Sequence, residues 1–262
     1  LDAASMTVAA LDFDPTSTKL LTGSYDKLVK IWDFLAATPT STILGPPSTH
    51  EGNVTGAAYT LDGSKIVTIG SDSVIKVWNT AGDNLLTTDN LGSSLTAMAL
   101  SPDGTLVAAG NSAGVTKLFS TATGAEVRAM TGAFSSNVNE LTFTPDGAYL
   151  IGVGLMDYIV LWDVATGAVA GSATKACTIP AAVALARGSS TMVVGGDDGV
   201  GAWTLTLGVP RADLSARSSE DAGYTGTGIV NDTGAGQIVT EQASADIPAT
   251  YYVKAANNYY EN

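Results

Sequence analysis

Four tryptophans set the tightest limit on what this chain can fold into. Trp32 and Trp78 lie 46 residues apart, Trp162 and Trp203 lie 41 apart, and 84 residues separate the two pairs. Phe119 fills the slot between the pairs, 41 residues after Trp78 and 43 before Trp162. An aromatic side chain thus recurs roughly every 40 residues, the mark of a repeat built from one supersecondary unit.

A second lattice has the same spacing. Leu61-Asp62-Gly63, Pro102-Asp103-Gly104 and Pro145-Asp146-Gly147 are turn signals, with Ser17 and Gly188 at the extrapolated positions. Alternating apolar stretches precede them: Val8-Leu11-Phe13, Val54-Ala57-Tyr59, Leu95-Met98-Leu100 and Val138-Leu141-Phe143. Alternation that ends in Asp-Gly predicts a strand running into a tight turn. A further strand follows each turn (Leu20-Leu21, Ile66-Val67, Leu106-Val107, Tyr149-Leu150 and Met192-Val193), and a third ends on the aromatic slot.

The stretch from Thr22-Gly23-Ser24-Tyr25-Asp26 to Trp32-Asp33 resembles a WD repeat almost position for position. So does His50-Glu51-Gly52-Asn53-Val54, leading on to Thr68, Asp72 and Trp78-Asn79. The resemblance to the WD-repeat β-propeller family spans about residues 5 to 206, roughly five repeats. It implies an all-β fold, a β-propeller of four-stranded antiparallel blades with five recognisable blades in residues 1–206. After Trp203 the register fails, because the next aromatic slot falls near Ala243-Ser244-Ala245. Residues 207–222, rich in Ser, Ala and charge, read as a linker. Residues 223–262 offer three strands, Tyr224–Val230, Gln237–Glu241 and Thr250–Lys254. This tail is either a degenerate sixth blade or a partner-binding arm, and the ring is either six-bladed or incomplete.

In the second repeat the resemblance implies a buried polar chain from His50 to Asp72, completed by Thr68 and the indole of Trp78. Such a chain makes physical sense, since a buried carboxylate is costly unless hydrogen-bonded and a satisfied network fixes strand register. The first repeat keeps Thr22, Asp26 and Trp32, with Ala4 where the histidine would stand. The third has Ala109, Ala113 and Phe119. The fourth keeps Asp157 and Trp162-Asp163, and the fifth keeps Asp197 and Trp203 with Val193 in the threonine slot. His50 is the sole histidine and reads as structural. A metal site needs several converging ligands, and no further His or Cys cluster supplies them.

Composition narrows the function. Twelve Lys and Arg stand against 25 Asp and Glu, a net charge of −13, so a phosphate backbone is repelled and nucleic acid is a poor partner. One cysteine, Cys177, excludes an intramolecular disulfide. No apolar run of about 18 residues suggests a membrane span. A soluble, intracellular or organellar protein is expected, with prior removal of an N-terminal targeting segment allowed. No HExxH, CxxC or Walker loop occurs, and the glycine-flanked serine of Gly110-Asn111-Ser112-Ala113-Gly114 sits on a strand-to-strand turn and not before a helix, so no catalytic residue, metal, cofactor or small-molecule substrate is expected.

The expected function is a non-catalytic scaffold for other proteins, a subunit of a larger stable assembly. The alternatives are a reader of a basic or modified peptide on a propeller face and, behind it, a propeller-hosted enzyme. The candidate partner-binding residues are Pro46 and Pro47 in the long connection after Phe34, and Tyr251, Tyr252, Tyr259 and Tyr260 in the tail. Five of the nine tyrosines lie in that tail, and tyrosine is favoured at interfaces because it joins apolar area to a polar tip.

Overall fold

Each alternating run forms the innermost strand of a four-stranded sheet, and each Asp-Gly turn returns the chain to the strand beside it. The computed structural model describes residues 5–38, 40–46, 49–132, 134–155, 158–174, 180–185, 191–196, 199–206 and 237–242. The first blade holds β1 (Val8–Phe13), β2 (Lys19–Ser24), β3 (Val29–Asp33) and β4 (Thr40–Ile43). The second holds β5 (Val54–Tyr59), β6 (Lys65–Gly70), β7 (Ile75–Asn79) and β8 (Asn84–Thr87). The third holds β9 (Leu95–Leu100), β10 (Leu106–Asn111), β11 (Thr116–Ser120) and β12 (Glu126–Met130). The fourth holds β13 (Val138–Phe143), β14 (Tyr149–Gly154), β15 (Tyr158–Asp163) and β16 (Val169–Thr174). The fifth holds β17 (Pro180–Leu185), β18 (Thr191–Gly196), β19 (Gly199–Thr206) and β20 (Gln237–Gln242). Within each sheet the strands lie in this order, all antiparallel, and the described residues include no helix.

The aromatic slot has one register throughout. Trp32 faces Leu20, Trp78 faces Ile66, Phe119 faces Val107, Trp162 faces Leu150 and Trp203 faces Met192 across the second and third strands. A bulge also recurs at the same end of every innermost pair, as between Val54 and Gly56 or between Val138 and Glu140. Bulges raise local twist, and repeating one in each blade twists every blade alike.

The turn residues explain why these hairpins close. Gly63, Gly104 and Gly147 sit at φ of 68°, 70° and 71°, a left-handed conformation open to glycine, and Ser17 takes the same place at 55°. The aspartate before each glycine fastens the turn. Asp62 accepts from the Thr60 hydroxyl at 2.6 Å and the Ser64 amide at 3.0 Å, and Asp146 accepts from Thr144 and the Ala148 amide at the same distances.

Apolar packing runs between blades. Ala10, Leu21, Val29 and Ile31 of the first meet Val54, Ala57, Tyr59, Ile66 and Trp78 of the second. Ala58, Val67, Ile69, Ile75 and Val77 of the second meet Leu95, Met98, Val107, Ala109 and Phe119 of the third. Equivalent clusters join the third blade to the fourth and the fourth to the fifth. Every blade therefore has a leading face, toward its predecessor, and a trailing face. Full burial of each large apolar side chain here contributes about 1.5–3 kcal/mol.

Gln237–Gln242 pairs with β19 as the outer strand of the fifth blade, so the five sheets account for all described strands. The other two expected tail strands, Tyr224–Val230 and Thr250–Lys254, lie outside the described residues, as does the linker at 207–222.

Candidate functional site

The second blade gathers the polar groups that the repeat brings together. The indole N–H of Trp78 donates to the Thr68 hydroxyl at 3.0 Å, and Thr68 Oγ1 lies 2.7 Å from His50 Nε2. His50 Nδ1 lies 3.0 and 2.9 Å from the two carboxylate oxygens of Asp72. An indole nitrogen only donates, so the threonine proton is free to point at His50 Nε2, and the imidazole proton sits on Nδ1, facing the carboxylate. The chain of donors thus runs Trp78, Thr68, His50, Asp72, one way throughout. Burial pushes the Asp72 carboxyl up, but the His50 hydrogen bond and charge and the Glu51 and Gly52 amides outweigh it, holding the group down at about 2. With both ring nitrogens engaged and its side chain fully buried, His50 presents no atom to a substrate.

The first blade keeps one link, with Trp32 donating to Thr22 Oγ1 at 2.9 Å. Asp26 instead accepts from the Ser5 and Leu28 amides at 3.1 and 3.2 Å. In the fourth blade Gly152 stands in the threonine slot, and a Cβ there would lie 2.7 Å from the Trp162 ring. The Trp162 indole donates to the Thr131 carbonyl at 3.0 Å, outside its own blade. Asp157 and Asp197 lie outside the described residues, as does the side chain of Trp203.

Four structural contributors carry no short-range signal. Gly45, at φ 56°, lies against the Trp78 indole, where a Cβ would stand 2.5 Å from Cζ3. Thr49 Oγ1 accepts from the Val29 amide at 2.8 Å, and Thr88 Oγ1 does the same for the matching Ile75 amide at 3.0 Å. The pair Thr49 and Thr88 is a repeat signal of its own, though legible only once the strands are aligned. Asp12, 1% exposed on β1, accepts the Tyr59 amide of the second blade at 2.8 Å.

The surface divides by topology. In a four-stranded antiparallel blade the turn after the innermost strand and the turn after the third strand lie at the same end, here called the upper face. Asp14, Asp62, Asp103 and Asp146 occupy the first of these turns, and Asp33, Asp83 and Asp163 lie at the second. Burial raises the Asp14 carboxyl, yet hydrogen bonds from Thr16, Lys19 and Thr18 bring it below its ordinary value. The Thr60 hydroxyl and Ser64 hold Asp62 down at about 2, and the Ser101 and Thr144 hydroxyls lower Asp103 and Asp146. Partial burial, then the charges of Asp163 and Asp146, push the nearby Tyr149 phenol up. Among the described residues, Lys19, 3.7 Å from Asp33, and Lys65 are the cations beside these turns.

Two large apolar side chains stand on the same upper face. Leu61, in the slot where the other turns carry Pro15, Pro102 and Pro145, is 64% exposed, and so is Leu35 in the turn after β3. Of the sequence-derived partner candidates, Pro46 is exposed in the connection from β4 to β5, at the opposite end of the blades. Pro47, Tyr251, Tyr252, Tyr259 and Tyr260 lie outside the described residues. No group of three His, Cys, Asp or Glu side chains able to hold a metal occurs among the described residues, and no described helix is long and apolar enough to cross a membrane.

Five four-stranded blades on one register, with the indole–threonine–histidine–aspartate chain in the second, define a propeller of WD type. The WD domain, G-beta repeat family model matches residues 1–33 and 40–79. The first two blades match that family's repeat, and the chain as a whole resembles the WD-repeat β-propeller family. It is 28% identical over 162 residues to apoptotic protease-activating factor 1 of Homo sapiens, covering 58% of this chain and 12% of that protein. It is 27% identical over 203 residues to telomerase protein component 1 of Mus musculus, covering 77% of this chain and 8% of that one. WD repeat-containing protein 36 of Homo sapiens is 28% identical over 123 residues, 47% of this chain and 14% of that protein. The chain therefore spans only a small part of the length of these relatives. WD repeats generally mediate protein–protein interaction, and WD propellers are generally non-catalytic scaffolds.

Proposed function

We propose that this chain is a non-catalytic scaffold that holds other proteins in a stable assembly, using its upper face. One observation carries the reading: Leu35 and Leu61 are exposed on that face amid fixed, ionised aspartates. An apolar anchor inside a charged rim is the composition of a protein-binding surface, with the leucines supplying desolvation and the aspartates selectivity. Loops on a rigid frame are also where binding residues concentrate. Catalysis is disfavoured because the one imidazole is occupied at both nitrogens within its blade.

The test is affinity capture from the natural source, comparing the full chain with a Leu35→Asp, Leu61→Asp double variant. A fixed set of proteins held by the wild type and lost from the variant, with an unchanged melting curve, is the expected outcome. A full chain that emerges alone, or a set indifferent to both substitutions, overturns the reading. Truncation at residue 206 is a poorer probe, because it removes β20 and leaves β19 as an open edge.

A second reading is favoured by the charge of the same face. Among the described residues seven aspartates stand beside two lysines on it, a balance that suits a basic peptide. Titration with a Lys- and Arg-rich peptide at rising salt separates the two readings: such binding fades as ions screen it, whereas docking on the leucines persists.

A further inference from the structure

Among the described strands, four of the five outer ones are broken in the same place. In β8, β12, β16 and β20 the pairing slips by one residue beside the aromatic slot, which leaves Leu85, Val127, Ala170 and Thr240 as bulge residues. A bulge on an outer strand bends its edge and spoils it as a template for another chain. The outer strand of the first blade keeps an unbroken register instead: Thr40, Ser41, Thr42 and Ile43 face Asp33, Trp32, Ile31 and Lys30 in turn. It also carries no charge and no proline, the other devices that keep an edge unpaired, and its first three residues are exposed.

The phase of the ladder decides which groups of β4 look outward. The Leu44 amide donates to the Val29 carbonyl at 3.0 Å, so Val29 and Leu44 form a hydrogen-bonded pair. Such pairs alternate along an antiparallel ladder, and the next two are Ile31–Thr42 and Asp33–Thr40. The N–H and C=O groups of Ser41 and Ile43 therefore point away from β3. Gly82 of the second blade stands beside one of them, where a Cβ would lie 3.7 Å from the Ile43 carbonyl oxygen. The Ser41 amide, the Ser41 carbonyl and the Ile43 amide have no partner among the described residues.

We propose that β4 is a docking edge, at which an extended segment of a partner protein adds a fifth strand to the first blade. The occupant follows from the groups on offer, because a row of outward amides and carbonyls is satisfied by another extended backbone. Its direction follows as well. A parallel strand places one residue opposite Thr42, with its N–H on the Ser41 carbonyl and its C=O on the Ile43 amide. The residue two before it accepts from the Ser41 amide, so all three open groups are used. An antiparallel strand would aim an N–H at the Ile43 carbonyl, where Gly82 stands. The neighbouring side chains are hydroxylic and β-branched, so the segment is uncharged and rich in threonine and valine, which pair well across strands. The contact uses neither Leu35 nor Leu61, and this proposal and capture on the upper face can each fail alone.

The probe is a fluorescent peptide of alternating threonine and valine with a short polyethylene glycol tail. It is titrated against the purified full chain and followed by anisotropy and by amide exchange. One peptide should bind per chain, with slowed exchange at the Ser41 and Ile43 amides. Methylating every second peptide nitrogen leaves one edge of the peptide open, and this version should bind as the parent does. Methylating all of them closes both edges and should abolish binding. Ser41→Pro removes one outward N–H without touching a ladder bond and should weaken binding about fivefold, with unchanged circular dichroism. Should that variant fold poorly, the methylated peptides against wild type still decide. Ser41 and Ile43 amides already protected in the chain alone overturn the proposal. So does an absence of binding at the solubility limit of the peptide, and so does equal binding by the fully methylated form.

Discussion

The second and third blades share a backbone and fill it by different chemistry. Trp78 against Ile66 and Phe119 against Val107 occupy the same register, and both aromatic rings are 2% exposed. Beneath Trp78 runs the polar chain through Thr68 and His50 to Asp72; beneath Phe119 lies Ala109, with Ala113 in place of the aspartate. Even the flanking lysine differs: Lys76 stands 5.7 Å over the Trp78 ring, whereas Lys117 pairs with Glu126 at 2.7 Å. Register and burial place the aromatic residue, and the polar chain is one of two ways to fill the space under it. Losing the whole chain together costs little, because no partner is left behind; losing one member strands the rest.

Four measurements would break or sharpen that contrast. The largest effect is expected from Gly45→Ala. Its methyl would enter the Trp78 ring from a left-handed backbone position, and a loss of about 2–4 kcal/mol in urea unfolding follows from overpacking plus the strained φ. Next is Asp72→Ala, which strands the His50 Nδ1–H and the Glu51 amide and should lower stability by about 1–3 kcal/mol. A melting curve unchanged within error would mean that the second blade no more depends on its polar chain than the third does on its alanines.

Acid supplies the third probe. The Asp72 carboxyl is held at about 2 in the fold against an ordinary 3.8, so its ionised form stabilises the protein fully above that ordinary value. The contribution declines as pH falls from 3.8 toward about 2, and the stability gap between wild type and Asp72→Asn should narrow over that window. A gap constant with pH would dissociate the carboxylate charge from the network. The smallest effect concerns the third blade. Thr116 is fully buried in a slot held elsewhere by Val29, Ile75 and Ile159, and its hydroxyl has no hydrogen-bond partner among the described residues. Thr116→Val should raise stability by about 1 kcal/mol, read as a higher melting temperature. A fall would show that the hydroxyl is satisfied in solution.

The repeat was legible in the sequence because it rests on short-range periodicity. The aromatic slots, the Asp-Gly turns and the alternating strands each follow from chemistry within a few residues. What was illegible depends on neighbours distant along the chain. Nothing near Gly45 announces an indole 33 positions away, and nothing near Asp12 shows that a strand residue of the next blade will offer its amide. Gly152 reads as a weak strand residue until the Trp162 ring is seen in the space a side chain would take. The strand at Gln237–Glu241 was legible, but its place as the outer strand of the fifth blade was not, for the same reason: β4, β8, β12 and β16 follow their partners within one repeat, whereas β20 joins β19 from beyond residue 236. The acidic upper face was hidden too, since net charge records an excess of aspartate without its arrangement.

Four apolar junctions between five blades give the molecule the statistics of a short linear array. Among the described residues of one chain each blade couples to its immediate neighbours, so the second, third and fourth are held from two sides and the first and fifth from one. Opening should therefore begin at the ends and travel inward, and amides of β1 and β19 should exchange with solvent before those of β10. Capping either terminus would slow exchange in blades that the cap never touches.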